Sequence, residues 1–160
     1  MANIMYAAIS RNGFIAGPND ETPWSKEEEL VFKAFVKTCD AILLGRRTYQ
    51  IMRDNGELFS GIRYIVASSR PMEDIETVDI HTKHDIPQVP RLGIIGGGEL
   101  NGRLAKLNAI DELFLDIEPI TLKEGIRLFG KYDIPLKLEP LESRKIGQST
   151  VQRHYKVINS

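Results

Sequence analysis

The chain predicts an α/β fold: a mixed, mostly parallel sheet with crossover helices, closed by an antiparallel hairpin. Three observations predict it. Short β-rich apolar runs alternate with helical periodicity as far as residue 110, two of those runs end in glycine-rich junctions, and after Ile110 strands follow one another without helices. Parallel neighbours need a crossover of a dozen or more residues, which the alternating half supplies and the last third does not. Open sheets of this kind take ligands beyond the carboxyl ends of their strands, where the winding reverses, and both glycine junctions fall at such ends.

Residues 4–9 form the first expected strand. Nothing ahead of it carries a basic segment, a long apolar run or a cleavage site, so the expectation is a cytoplasmic protein with no membrane contact. The first helix opens at Ser25 with a capping box, Ser25 accepting from the N–H of Glu28 while Glu28 reaches back to Ser25. On its wheel Leu30, Val31, Ala34 and Phe35 form an apolar stripe expected to face the core. Phe32 and Val36 lie on the other side and flank Glu29, a carboxylate among apolar neighbours. A helix apolar on two faces is covered twice, by another element, a partner subunit or a ligand cleft.

Strands follow at residues 41–44, 64–67 and 92–95, with helices beginning near Thr48 and Glu99. Residues 113–117 form a further strand. Residues 136–141 and 151–158 read as a final hairpin joined near Gly147.

The chemistry concentrates at the two junctions. Ile94 and Ile95 run into Gly96, Gly97 and Gly98 and then into Glu99 and Leu100 at a helix start. Three glycines permit positive φ and leave no side chain between backbone N–H groups and an approaching phosphate, while the helix adds its positive end. Gly45, Arg46, Arg47 and Thr48 repeat the arrangement with two guanidinium groups and a hydroxyl. A diphosphate is the expected guest.

The 160 residues, 42% hydrophobic, suit one domain over residues 1–160. Net charge is −1 with dispersed basic residues, which excludes the uniform positive field of a nucleic-acid binder. The single cysteine, Cys39, excludes an internal disulfide and a CxxC metal cluster and reads as a buried, inert thiol. His81, His84 and His154 have no metal-ligand spacing, and Ser69 has no nucleophile elbow around it, so neither a metal nor a hydrolase triad is expected.

The segments "AAISRNGFIAG", "PWSKEEEL", "DAILLGRRTY", "IVASSR", "IIGGGEL" and "IDELFLDIEPITLKEGIRLF" together resemble the dihydrofolate reductase-like superfamily, and within it the C-terminal reductase domain of the bifunctional riboflavin-biosynthesis deaminase-reductase. The resemblance implies a three-layer fold with helices on both faces of the sheet. It also implies an NADPH-dependent oxidoreductase similar to 5-amino-6-(5-phosphoribosylamino)uracil reductase, acting on a small heterocycle or ring-opened sugar. Dihydrofolate reductase is the alternative, and a non-catalytic NADPH-binding module a third reading. No attached deaminase is expected, because its zinc-binding His and paired Cys are absent. A homodimer is expected from relatives of the group.

By the same resemblance, Gly45, Arg46, Arg47 and Thr48 serve the diphosphate and adenosine phosphate, and Ser68, Ser69 and Arg70 the ribose 2′-phosphate. Ile95, Gly96, Gly97, Gly98, Glu99 and Leu100 pass beneath nicotinamide and diphosphate, and the backbone of Ala8 and Ile15 holds the carboxamide. Glu29 takes the position of the acid that protonates the acceptor, with Trp24 beside it. Tyr6, Lys33, Ile62 and Asp116 face the substrate. Ile62, Lys33, Asn101 and Asp116 depart from the dihydrofolate reductase pattern, and Lys33 at i+4 from Glu29 suits a polar or phosphorylated acceptor. Burial beside Phe32 and Val36 makes Glu29 an acid; pairing with Lys33 makes it a binding clamp.

Overall fold

The computed structural model describes residues 1–159. Its strands and helices follow in the order β1 (Ala2–Ile9), β2 (Phe14–Ala16), α1 (Lys26–Thr38), β3 (Ala41–Gly45), α2 (Arg46–Asp54), β4 (Tyr64–Ala67), β5 (Glu76–Val78), β6 (Arg91–Ile94), α3 (Gly98–Lys106), β7 (Glu112–Ile117), β8 (Ile126–Arg127), β9 (Leu138–Ile146) and β10 (Thr150–Val157). A short 3-10 turn, Lys83–Asp85, precedes β6. Eight strands form one sheet in the order β5-β4-β3-β6-β1-β7-β10-β9, while β2 and β8 pair separately. From β5 to β7 the neighbours are parallel, and β7-β10 and β10-β9 are antiparallel. The expected parallel sheet with its closing hairpin is the observed one.

Period-2 alternation divides the core into two layers. Ile4, Tyr6, Ile42, Leu44, Tyr64 and Val66 point to the face covered by α1 and α2. Met5, Leu43, Ile65, Leu92 and Ile94 point to the face covered by α3, where Leu100, Leu104 and Ala105 meet them. Each fully buried Ile or Leu contributes about 1.5–3 kcal/mol relative to exposure, so the sheet register is held strongly from both sides.

Helix α1 is rotated from the expected wheel. Its buried residues are Glu28, Phe35 and Val36, with Val31 and Phe32 packed against the same cluster, whereas Leu30 is 68% exposed and Ala34 faces solvent. The spacing 28, 31, 32, 35 is itself an i, i+3, i+4, i+7 stripe, with a carboxyl group at its first position. The capping box is half right: Ser25 Oγ accepts from the N–H of Glu28 at 3.2 Å, but the Ser25 N–H donates to Glu118 Oε1 at 3.4 Å. Burial of Glu28 removes it from that task.

His154 lies on an interior strand rather than the expected edge, since β9 covers β10. Strand β9 extends to Ile146, beyond the apolar run that announced it, because an exposed edge needs no apolar face. Glu139, Pro140, Glu142, Arg144 and Lys145 mark that edge. Cys39 is half-buried, its Sγ donates to the Phe35 carbonyl at 3.5 Å, and burial pushes the thiol pKa up, as suits an inert side chain.

Candidate active site

Strands β3 and β6 are neighbours, yet the helices that follow them leave for opposite faces, α2 with α1 and α3 alone. Such a reversal opens a crevice at the strand ends. Here it is a cavity of about 770 Å³. The Gly45 N–H donates to the Gly96 carbonyl at 2.7 Å, which brings the two glycine junctions side by side. Gly45 caps α2 and Gly97 caps α3, and neither helix start receives a side-chain cap. Two sets of free N–H groups therefore open on one cavity, with the half-buried Arg46 beside them.

Glycine is required here at two positions. Gly96 has φ of +100°, and a Cβ on Gly98 would stand 2.6 Å from the Arg127 carbonyl oxygen. The second contact explains how the segment after β8 closes against α3.

Of the residues expected at a cofactor, Ala8, Ile15, Gly45, Arg46, Arg47, Thr48, Ile95, Gly97, Gly98, Glu99 and Leu100 line the cavity. Gly96 is buried just behind Gly97. Arg47 is committed elsewhere, its Nε donating to Asp20 Oδ2 at 3.0 Å. Ser68, Ser69 and Arg70 lie outside the lining, directly after Ala67, which belongs to it. Ser68 Oγ accepts from the Arg70 N–H at 3.1 Å, so these three residues form a self-bonded turn at the cavity margin.

Of the two adjacent carboxyl groups on α1 that line the cavity, the buried one is Glu28 and not the expected Glu29. Glu29 is exposed at the rim, while Glu28 is 5% exposed and faces the cavity from below. Burial raises the Glu28 pKa to about 9, helped by the charge of Asp116, a hydrogen bond to Asp116, and the charges of Glu118 and Glu29. Asp116 is fully buried and also raised by burial, an effect opposed by hydrogen bonds from Tyr6 and Gln152. The Tyr6 hydroxyl donates to Asp116 Oδ2, and Gln152 Nε2 to Asp116 Oδ1 at 2.8 Å. Glu118 Oε1 accepts from Ser25 Oγ at 2.8 Å and Thr150 Oγ1 at 3.1 Å. Burial and the hydrogen bond between Glu28 and Asp116 favour a proton on this pair, and Glu28 is the member that reaches the cavity.

Tyr6 and Trp24 line the cavity as expected. The other three substrate positions do not. Asp116 lies behind Tyr6 and Glu28, Ile62 packs into the core beside Phe59, and Lys33 Nζ sits 5.6 Å above the Phe59 ring. Lys33 thus covers the Phe59 ring and does not pair with its i−4 neighbour Glu29. Phe32, Met52, Asn55 and Glu57 occupy the lining instead. Among the described residues no cluster of His, Cys, Asp and Glu could hold a metal ion, and no helix is long and apolar enough to cross a membrane.

A three-layer arrangement with a doubly-wound parallel sheet, a C-terminal hairpin and a glycine-lined crevice at the switch point is the dihydrofolate reductase-like fold. Solved structures carry the same architecture. A Shewanella sp. PV-4 protein described as a riboflavin biosynthesis protein superimposes with a TM-score of 0.80 at 22% identity, covering 99% of both chains. The deaminase and 5-amino-6-(5-phosphoribosylamino)uracil reductase of Thermotoga maritima gives 0.74 at 15% identity over 98% of this chain and 56% of its own. Dihydrofolate reductase from Enterococcus faecalis, complexed with NADP(H), gives 0.72 at 19% identity over 98% and 96%. In sequence the chain is 29% identical to the uncharacterized protein YwjB of Bacillus subtilis over 167 residues, 95% of each. It is 26% identical to YyaP of the same organism over 95% of this chain and 93% of that one. No family model matches the chain.

Proposed function

We propose that this protein is an NADPH-dependent reductase that delivers hydride to a C=N or C=O bond of a small heterocyclic or ring-opened acceptor. The observation that carries the reading is the convergence on one cavity of two uncapped helix N-termini and a buried carboxyl group that keeps its proton. The donor set fits a dinucleotide. Free N–H groups of α2 and α3, the Thr48 hydroxyl and the Arg46 guanidinium suit a diphosphate, and the turn of Ser68, Ser69 and Arg70, directly after the lining residue Ala67, offers hydroxyl and guanidinium donors that would receive the further phosphate of NADPH. The Enterococcus faecalis neighbour, named as a complex with NADP(H), supports the same choice.

When bound, the reduced nicotinamide supplies the hydride. The chain supplies position and a proton. Ala8 of β1 and Ile15 of β2 line the same cavity as the glycine junctions and would hold the nicotinamide ring. Hydride addition leaves negative charge on the acceptor, and Glu28, protonated up to about pH 9, answers it as a general acid. Tyr6 and Gln152 hold Asp116 in place behind Glu28, and burial, reinforced by Asp116, keeps the proton on Glu28.

Calorimetric titration with NADPH and NADH tests the reading, followed by NADPH oxidation with dihydropterins, cyclic imines and ring-opened aminopyrimidine ribosides as acceptors. NADPH binding with turnover of one acceptor class supports it. NADPH binding without turnover leaves a nucleotide-binding module, and no binding of either nucleotide overturns it.

A further inference from the structure

The two ends of α2 give the cavity two electrostatic characters. Its first turn presents Arg46 and free N–H groups to the glycine junctions. Its other end presents Met52 and the cap residue Asn55, about 13 Å away along nine residues at 1.5 Å each. There the helix ends in carbonyl groups and the negative pole of its dipole. Phe32 of α1 and Met52 of α2 both line the cavity and pack against the same apolar cluster, so the Glu28 side of α1 shares this half with the end of α2.

Among the described residues, the lining of that half holds carboxyl groups and no lysine or arginine. Glu29 and Glu57 are exposed on its rim, and Glu28 forms its floor. Lys33, Arg53 and Arg63 lie outside the lining, Lys33 over the Phe59 ring, Arg53 against Asp54 Oδ1 at 3.1 Å and over the Tyr49 ring, and Arg63 against Glu76 Oε2 at 2.8 Å, while Arg47, in the first turn of α2, pairs with Asp20. The two arginines that line the cavity besides Arg47 lie toward the other end. Arg46 opens α2, and Arg103 of α3 donates to the Ile80 carbonyl.

The geometry points to an acceptor without phosphate or carboxylate, a neutral or cationic heterocycle packed on Phe32 and Met52 under the Glu29 and Glu57 carboxylates. This rests on the reductase reading, since it assigns the arginine end to the cofactor and leaves the carboxyl end to the acceptor. A phosphate in the acceptor half would face two rim carboxylates and a helix C-terminus with no guanidinium to receive it. An ammonium or iminium group gains from all three. Lys33, the basis for expecting a phosphorylated acceptor, lies outside the lining, over the Phe59 ring.

Matched probes test the inference: the aminomethyl, hydroxymethyl and phosphooxymethyl derivatives of pterin and of benzene, titrated into protein saturated with NADP+. The expected result is that the cationic and neutral members bind at least about tenfold more tightly than the phosphorylated member on whichever ring is accepted, equivalent to about 1.4 kcal/mol. Glu57→Lys should shrink that difference at least threefold while NADPH affinity stays unchanged. A phosphorylated probe that binds as well as its neutral partner overturns the inference, and so does failure of every neutral and cationic probe to bind at about 1 mM. Loss of the reductase reading shows separately, as absence of NADPH binding in the parallel titration.

Discussion

The backbone N–H of Gly45 donates to the carbonyl of Gly96 across 2.7 Å, and this bond joins two strand ends that lie 51 residues apart in the chain. Both residues belong to glycine junctions, and each junction opens a helix without a side-chain cap. The N–H groups that would otherwise need capping partners are the ones available to a diphosphate.

Arg46 and Arg47 are adjacent in sequence and opposite in consequence. Arg46 is half-buried in the cavity lining and has no ion-pair partner among the described residues, whereas Arg47 is paired with Asp20. Arg46→Ala should weaken NADPH binding about 10- to 100-fold, the value of a hydrogen bond to a charged group, and Arg47→Ala by less than about threefold. Calorimetric titration of both variants reads the difference.

Glu28→Gln should lower turnover about 100-fold or more by removing the proton donor, while Glu29→Gln should stay within about fivefold of the wild type. The wild-type rate should fall above about pH 9, where Glu28 loses its proton. A pH profile of NADPH oxidation for the three proteins checks both statements. Equal losses in the two variants would return the acid role to the rim.

Glu28 also ties stability to pH. Its folded value of about 9 lies above the ordinary 4.5, so between those values the native state holds a proton that the unfolded chain has released. Stability is therefore full below about pH 4.5 with respect to this group and declines as pH rises toward 9. The slope is at most about 1.4 kcal/mol per pH unit for one proton. Urea unfolding at several pH values should show the decline, and Glu28→Gln should flatten it.

Gly98→Ala places a methyl group 2.6 Å from the Arg127 carbonyl oxygen and 2.9 Å from the Gly130 backbone nitrogen. Neither neighbour is a flexible side-chain tip, so the segment after β8 must shift. A loss of about 1–3 kcal/mol in thermal unfolding is expected, together with weaker NADPH binding as the α3 start moves.

The sequence by itself determined the sheet, its helices, its closing hairpin and the two glycine junctions. These are local matters: period-2 apolar runs, caps and glycines act within a few residues of themselves, and the runs of β3, β4 and β6 read as strands because they are too short for helices. It left out β2, β5 and β8, of two or three residues each, which are strands only because a distant partner pairs with them. The fold settles which of three successive carboxyl groups is buried. Glu27, Glu28 and Glu29 are interchangeable as helix-start carboxylates, and the rotation of α1 about its axis chooses among them. That rotation is set by how Phe32, Phe35 and Val36 meet Tyr6, Ile4 and Ile42 on the sheet, and by the hydrogen bonds that Asp116 and Glu118 of β7 and its end receive from β1, β10 and the start of α1. Only the fold brings residues 6, 28, 116 and 152 together, and a proton held between buried carboxyl groups is a property of that assembly rather than of any one of them.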